Sequence, residues 1–265
     1  CTFQIAMKYA FYIFLINVSM VFSQKSLETT FIDSQELVAD NLISVDNFKT
    51  IYFTKNNVFF KKNNKNSITY NNLQLGNLET VNAFNPLKIN LFYKDFNTII
   101  ILDNRLAEIF KIDFNALPDY KNVSHISTGY DNTIWVFNQD LQQLELYDYK
   151  TNKVRVQTIP VQSQVLDLKS NYNMCWLLTK NNLYVYNYFG SLLKKIPNMG
   201  FTALETANED IVLRKENTLL YLKKNTIDPI PILLPNLLIN QFFVTNQTLY
   251  IYNDETLQEF QIKTN

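Results

Sequence analysis

The feature that most constrains the fold is a unit repeated along the chain, in which an amide side chain directly precedes a short apolar strand. The anchoring amides are Asn57, Asn97, Gln143, Asn182, Asn217 and Gln247. Successive anchors lie 40, 46, 39, 35 and 30 residues apart. A second strand-like run precedes each anchor, for example 133–137 before Gln143, so each unit contains a β-hairpin.

A spacing of about 40 residues with room for four short strands is typical of propeller blades, whereas helical solenoid repeats would place apolar residues every 3.6 positions. The sequence therefore predicts an all-β fold, a β-propeller with four-stranded antiparallel blades. Six blades fit best, and five to seven are compatible with the spacing. The predicted blade segments are 44–73, 79–114, 122–159, 164–196, 201–233 and 235–263.

The segment from Leu27 to Leu37 has strand-like character but lies outside the six units. An open last blade would expose an unpaired strand edge, which soluble proteins avoid. We therefore expect this segment to pack near Phe260–Lys263, where it would add a strand to the last blade or cover its edge.

Turns in this chain rely on asparagine, because only 4 glycines are present. Asn tolerates the positive φ that tight turns require. The Asn56-Asn57 pair is one predicted turn, and Lys94–Asn97 is predicted to connect the second and third strands of blade two.

The first residues read as an export signal. Met7-Lys8 supplies a basic start, an apolar run extends from Tyr9 to Phe22, and Ser23 offers a small residue for cleavage. The run is too short to span a hydrocarbon core of roughly 30 Å comfortably, although a retained anchor is the alternative. We expect residues 1–23 to be a pre-region and signal peptide, with residues 1–6 preceding the true start, and 24–265 to be a single β-propeller domain.

The stretch Gly129–Val136 contains Asp131-Asn132 followed by Trp135 and resembles the turn and strand of NHL and two-component-regulator propellers. The chain from Met7 onward resembles uncharacterised exported flavobacterial propeller proteins. The matching stretches are Asn85–Lys88, Leu91–Asn97 and Leu102–Leu106. The resemblance implies the fold and a location in the cell envelope, and it implies no activity.

Charge composition argues against nucleic-acid binding. Lys plus Arg and Asp plus Glu both number 24, so the formal net charge is zero, and the charges are scattered. Binding to nucleic acid requires a clustered basic surface. We expect an exported protein, periplasmic, associated with the outer membrane or secreted, with no stable membrane span after cleavage. Its expected partner is another envelope protein, and the oligomeric state is left open.

Motifs for catalysis are absent from the sequence. His125 is the single histidine, and no HExxH, CxxC, GxSxG or GxGxxG pattern occurs. Once residues 1–23 are removed, Cys175 is the one remaining cysteine, and its apolar neighbours predict a buried strand position. We therefore expect no catalytic residue, no cofactor and no metal.

Several polar and aromatic side chains remain as candidates for contacting a ligand at the surface. These candidates are Asp95, Asp103, Arg105, His125, Tyr130 and Asp131. The Asp residues occupy predicted turns, where they could form a catalytic carboxylate pair or bind local backbone. Arg105 could bind an anion or pair with Asp103 across a tight turn, and His125 could be a base or a hydrogen-bonded structural residue on an inner strand.

The large aromatic residues are expected to fill the spaces between blades. Trp135 and Trp176 occupy equivalent second strands of blades three and four. Tyr184, Tyr186 and Tyr188 alternate, which places them on one strand face. They could form a stacking platform for sugars, but packing against the neighbouring blade is the interpretation we favour.

Two classes of function fit these observations. The first is a non-enzymatic binding or scaffolding propeller of the bacterial cell envelope that mediates protein–protein interaction. The alternative is a carbohydrate-active enzyme, a polysaccharide lyase or glycosidase, that uses the central channel. An apolar or uncharged channel mouth would favour the first, and converging carboxylates beside a tyrosine or arginine would favour the second.

Export predicts a defined mature N-terminus. If the segment from Met7 to Ser23 is a signal peptide, the protein isolated from its native cells should begin at Gln24. Mass spectrometry of the purified protein measures this directly. Recovery of an intact cytoplasmic chain that retains Lys8 would contradict the prediction.

Overall fold

The structure is a computed structural model that describes residues 26–263, so the predicted signal segment and Cys1 lie outside the described residues. Within that range the chain forms six four-stranded sheets, each antiparallel, and two single-turn 3-10 helices, at Lys94–Phe96 and Phe114–Ala116. The sheets form a six-bladed β-propeller, which confirms the predicted fold class.

Strand β1 (Thr29–Glu36) precedes the blades. Blade one contains β2 (Asn41–Val45), β3 (Ile51–Lys55), β4 (Val58–Lys62) and β5 (Ser67–Tyr70). Blade two contains β6 (Thr80–Asn82), β7 (Ile89–Tyr93), β8 (Thr98–Leu102) and β9 (Glu108–Asp113). Blade three contains β10 (Val123–Thr128), β11 (Thr133–Asn138), β12 (Gln143–Asp148) and β13 (Lys153–Gln157).

Blade four contains β14 (Val165–Ser170), β15 (Met174–Thr179), β16 (Asn182–Asn187) and β17 (Leu192–Pro197). Blade five contains β18 (Ala203–Ala207), β19 (Asp210–Lys215), β20 (Thr218–Leu222) and β21 (Ile230–Pro231). Blade six contains β22 (Gln241–Thr245), β23 (Thr248–Asn253) and β24 (Thr256–Ile262), with β1 as its fourth strand. Blade one thus begins at Asn41, three residues before the predicted start.

The first strand of each blade lies next to the central axis. Neighbouring blades contact each other through these strands: β14 touches β10 and β18, and β22 touches β18 and β2. Each sheet alternates in direction, so the turns after the first and third strands lie on one face of the ring. We call this the upper face. The turns after the second strands and the linkers between blades lie on the opposite, lower face.

The N-terminal strand closes the ring, as the sequence predicts. Strand β1 pairs antiparallel with β24, from Thr29 opposite Ile262 to Glu36 opposite Thr256, with one bulge near Phe31. Phe31 also packs edge-on against Phe260, with ring centroids 5.6 Å apart. Both ends of the propeller therefore meet in blade six, and β1 covers the edge that β24 would otherwise expose.

Three of the repeat anchors clamp the linker that leads into the next blade. Asn57 donates its side-chain amide to the carbonyl of Gly76 (2.8 Å) and accepts the backbone N–H of Leu78 (2.6 Å). Asn97 donates to the carbonyl of Lys121 and accepts the backbone N–H of Val123. Asn217 likewise donates to the carbonyl of Leu237 and accepts the backbone N–H of Ile239. The amide therefore recurs because one side chain satisfies both a linker carbonyl and a linker N–H.

Asparagine also takes the turn conformations expected from the shortage of glycine. Asn56 and Asn57 both have positive φ, 50° and 62°, between β3 and β4. Asn97 has φ 47° and ends the 3-10 turn at Lys94–Phe96, which connects the second and third strands of blade two as predicted.

The two tryptophans lie between blades, which confirms their predicted burial. Trp135 is 1% exposed and packs in a cluster that includes Leu168 and Leu177 of blade four. Trp176 is buried against blade five, in a cluster with Leu204. Blade faces are thus held together by large apolar side chains from adjacent sheets.

The buried strand position predicted for Cys175 is also confirmed. The residue lies in β15 and is fully buried. Burial raises the pKa of its thiol well above the ordinary value, so it is not an activated nucleophile.

The tyrosines of blade four divide between core and surface. Tyr184 and Tyr186 stack on each other, 6.2 Å between centroids, and pack against blade three. Tyr188 differs from the expectation, because β16 ends at Asn187 and Tyr188 lies in the following turn. It is 36% exposed, and its ring contacts Tyr130 of the neighbouring blade three.

A buried ion pair lies inside blade three. The ammonium of Lys121 is 2.8 Å from the carboxylate of Glu145, and the two side chains are 8% and 0% exposed. Side-chain amides of Asn138, Gln143 and Gln157 surround the same carboxylate. The surrounding donors satisfy the charge, which is the condition under which a protein interior tolerates it.

No helix within residues 26–263 is long and apolar enough to cross a membrane.

Replacing Trp135 or Trp176 with alanine should lower the free energy of unfolding by about 3–5 kcal/mol, because each change leaves a cavity between two blades. Chemical denaturation monitored by circular dichroism measures the loss. Ile159→Ala is the matched control, because Ile159 is 84% exposed. Unchanged stability of both tryptophan variants would contradict interblade packing.

Candidate functional site

The central channel holds the main concave site of the described chain. A cavity of about 380 Å³, the upper vestibule, is bordered by turns after first strands, including Phe48, Phe84, Asn208 and Asn246. A cavity of about 270 Å³, the lower vestibule, is bordered by linker residues and Arg214. Both cavities are lined by Ile43, Val81, Lys169 and Glu205, which therefore form the waist between them.

An ion pair occupies one side of this waist. Lys169 of β14 donates to the carboxylate of Glu205 in β18, so the pair also joins blades four and five. The side chains are 29% and 11% exposed. Ile43 and Val81 face the channel from the first and second blades, so the waist has a charged side and an apolar side.

Burial and mutual attraction set the protonation of this pair. Burial raises the pKa of Glu205 to about 7, against the opposing attraction of Lys169. Burial alone would lower the pKa of Lys169, but the carboxylates of Glu205 and Asp167 outweigh it and raise that pKa. Lys169 therefore stays protonated at neutral pH and holds its carboxylate partner.

Asp167 and His125 lie on neighbouring first strands. The Asp167 carboxylate accepts the backbone N–H groups of Leu168 (2.8 Å) and Leu204 (2.9 Å), which ties blade four to blade five. The Nδ1 atom of His125 is 3.0 Å from the hydroxyl oxygen of Ser124. Burial lowers the pKa of His125, with Asp167 opposing the shift, so His125 is neutral at neutral pH.

His125 lies on the inner strand β10, as expected from the sequence, but it lines neither vestibule. The hydrogen bond to the adjacent serine and the loss of charge on burial both fit a structural role. The geometry therefore gives this histidine no direct access to a ligand in the two vestibules.

The turn aspartates of the sequence analysis do not converge. Asp95 lies in the 3-10 turn on the lower face, whereas Asp103 and Asp131 lie in upper-face turns. The carboxylate of Asp103 accepts the backbone N–H groups of Arg105 (2.8 Å) and Ala107 (2.9 Å), which lowers its pKa. The described residues include no ion pair between Asp103 and Arg105. Asp103 thus binds local backbone, the second of the two predicted roles.

Asp131 has the left-handed conformation, φ 53°, in the turn after β10. Its backbone carbonyl accepts a hydrogen bond from the ammonium of Lys88 (2.6 Å), which joins blades two and three. The observed interblade contact is therefore made by the backbone of Asp131.

Tyr130 belongs to a surface group that we call the aromatic cluster: Tyr130, Arg155, Tyr188 and Phe189. The rings of Tyr130 and Tyr188 pack edge to face, with their centroids 5.6 Å apart. The ring centroids of Tyr188 and Phe189 are 3.9 Å apart. The Arg155 guanidinium lies over Tyr130, 5.6 Å from the ring centroid. Blades three and four thus present one continuous aromatic and cationic surface on the upper face.

Sequence reasoning missed Asp167, Lys169 and Glu205. Their signal is that charged residues alternate with apolar ones inside predicted first strands, at 165–170 and 203–207. In a propeller the first strand faces the channel, so charges there line a cavity rather than an outer surface. Among the described residues, no group of three or more His, Cys, Asp or Glu side chains could hold a metal ion.

No protein-family model matches the sequence, and no curated protein is similar to it. A streptogramin B lyase structure is similar in fold, with a TM-score of 0.61 and 14% identity, covering 88% of this chain and 88% of that chain. A catalytically inactive histidine-to-alanine variant of Staphylococcus aureus virginiamycin B lyase, with quinupristin, has a TM-score of 0.59 and 13% identity, covering 91% of this chain and 96% of that chain.

PorZ, an essential surface component of the type-IX secretion system of Porphyromonas gingivalis, has a TM-score of 0.51 and 16% identity. The match covers 82% of this chain and 31% of PorZ. These structures place the chain among β-propeller proteins. At such low identity they establish the fold alone, and function has to be argued from the sites.

Proposed function

We propose that the protein is a non-enzymatic binding and scaffolding propeller of the bacterial cell envelope, which mediates protein–protein interaction. The observation that carries this proposal is the aromatic cluster on the upper face. It combines exposed aromatic rings with a fixed guanidinium on a rigid ring of sheets, a combination typical of the residues that dominate binding energy at protein interfaces.

The cluster is held in place before any partner binds. The Nε–H of Arg155 donates to one carboxylate oxygen of Asp148, with 2.9 Å between the nitrogen and the oxygen. The Nη2 group of Arg155 donates to the same oxygen. Asp148 is itself buried in β12. Because the guanidinium is fixed, Tyr130 beneath it is fixed as well, and little side-chain entropy is lost on association.

The cluster also leaves apolar surface in solvent. Phe189 is 64% exposed and Tyr188 is 36% exposed, side by side in the turn after β16. An exposed group of aromatic rings with a paired cation suits a partner protein with an apolar recess rather than a strongly charged one. We propose another envelope protein as that partner.

The proposed location in the cell envelope is based on the sequence. The segment from Met7 to Ser23 has the layout of a signal peptide, and the resemblance to exported flavobacterial propellers agrees with it. PorZ is a surface protein that shares the fold. We propose export to the periplasm, the outer membrane or the exterior on these grounds.

A carbohydrate-active enzyme is the second candidate, favoured by the lining of the lower vestibule. Glu79, Glu205 and Arg214 border the same cavity, and a Glu205 pKa of about 7 suits a general acid. However, Arg214 donates to the carbonyls of Glu216 (3.1 Å) and Asn240 (2.7 Å), and Glu205 is held by Lys169. Because these hydrogen bonds already occupy the Arg214 guanidinium and the Glu205 carboxylate, binding is the function we favour.

The double variant Tyr188→Ser and Phe189→Ser should lose the partner, because it removes the exposed apolar part of the cluster and leaves the blade core intact. The tagged mature protein is used to capture partners from envelope fractions, and the recovered partner is then purified for affinity measurement. We expect at least roughly a tenfold loss of affinity, the equivalent of one or two interface anchors.

Leu73→Ser is the matched control, because Leu73 is 88% exposed and lies in the linker between blades one and two on the lower face. It should retain the partner at wild-type affinity. Equal loss in both variants, or full binding by the double variant, would contradict the cluster as the docking surface. Turnover of a polysaccharide by the wild type but not by Glu205→Gln would favour the enzyme instead.

A further inference from the structure

We propose that the upper vestibule is a binding site for an uncharged saccharide of one to a few sugar units. The site is separate from the aromatic cluster and does not depend on the protein-binding role. It is built from turns of several blades around the channel mouth, and its lining combines aromatic rings, free amide groups and a neutralised floor.

The cavity has the size and composition of a small-molecule site. Its volume is about 380 Å³, within the roughly 300–1,000 Å³ that such sites occupy. Apolar side chains of the first strands, Val81 and Val244, line part of the wall, and Lys169 and Glu205 lie at the floor.

Aromatic rings stand at the mouth. Phe48 is 88% exposed and Phe84 is 44% exposed, and both border the cavity from different blades. Phe84 is fixed by an edge-to-face contact with Tyr172, at 5.2 Å and 89°. The electron-rich face of such a ring attracts the C–H face of a pyranose, in the same way that it prefers the edge of another ring.

Amide groups with unused hydrogen-bonding capacity lie beside these rings. Asn246 donates to the side-chain oxygen of Asn47 at 2.9 Å, which leaves the Asn47 amide hydrogens and the Asn246 oxygen uncommitted within the described chain. The side chain of Asn208, also at the mouth, has no hydrogen-bond partner among the described residues. These groups supply both donors and acceptors, the combination that sugar hydroxyls require.

The wall contains a further unsatisfied group. Ser44 lines the upper vestibule, and its hydroxyl oxygen is buried behind the cavity surface with no hydrogen-bond partner among the described residues. Leaving a buried hydroxyl unpaired costs about 1–3 kcal/mol. A ligand hydroxyl would pair with it only after a local rearrangement of the wall.

Charge argues for an uncharged ligand. Lys169 and Glu205 neutralise each other at the floor. Asp46, which also borders the cavity, accepts hydrogen bonds from the backbone of Phe48 and Thr50 and from the hydroxyl of Tyr52. A uronate would find no free cation here, and the carboxylate that an amino sugar would need, that of Asp46, is already bound to three donors, so neutral sugars fit best.

The test uses the mature full-length protein on an array of neutral, acidic and amino oligosaccharides, followed by calorimetric titration with the neutral oligosaccharide that binds best. We expect binding to neutral members only. Phe48→Ala combined with Asn208→Gly should weaken it at least roughly tenfold, with an unchanged circular dichroism spectrum and melting temperature, because glycine accommodates the left-handed conformation of Asn208, φ 61°.

Two controls make the result specific. Leu141→Ala, at an exposed position in the turn between β11 and β12 on the lower face, should bind the sugar as the wild type does. The Tyr188→Ser and Phe189→Ser variant should also bind it, even though it loses the protein partner. Absence of any neutral ligand, binding only to charged sugars, or full binding by the Phe48 and Asn208 double variant would each overturn the proposal.

Discussion

The pairing of β1 with β24 is the interaction on which the rest of the structure depends. A propeller blade buries both faces against its neighbours, so the first and last blades must meet for every sheet to be covered. Seven residue pairs join the N-terminal strand to the last strand, and this places both ends of the propeller in one sheet. Once the ring is closed, the six first strands are held around one axis and the channel acquires its shape.

Much of the fold could be predicted because the repeat is encoded by local chemistry. The anchors Asn57, Asn97 and Asn217 recur since each one binds the linker into the next blade. The burial of Trp135 and Trp176 follows from their place in second strands with neighbours on both sides. The predicted start of blade one, residue 44, is three residues late, because the bulge between Leu42 and Ser44 interrupts the alternation of side chains in β2.

The sites were harder to predict because they depend on which blades become neighbours. Lys169 and Glu205 are 36 residues apart in sequence, and only the ring brings their strands together at the channel. Asp95, Asp103 and Asp131 look equivalent in sequence because all three occupy turns, but alternating strand directions send them to different faces. Tyr130 was identified as a candidate, yet its partners Arg155 and Tyr188 come from another strand and another blade.

Two buried ion pairs lie within the described part of the molecule, and they support the proposal of binding over catalysis. Lys121 with Glu145 in blade three and Lys169 with Glu205 at the waist each satisfy one another. A catalytic acid or base needs a proton that can move at the working pH. Glu205, with a pKa of about 7, meets that condition, but its carboxylate is held by Lys169. Among the described residues, the exposed rings and free amides at the upper face are the groups that we propose for ligand recognition, by stacking and hydrogen bonding.

Hydrogen–deuterium exchange on the intact protein tests ring closure most directly. About half of the amides in Thr29–Glu36, those directed at β24, should exchange slowly, because β1 is the outer strand of its sheet; amides in Thr256–Ile262 should exchange more slowly still, because β24 has a strand on each side. Rapid, loop-like exchange in Thr29–Glu36, with slow exchange retained in blades two to four, would show that the N-terminal strand does not close the ring.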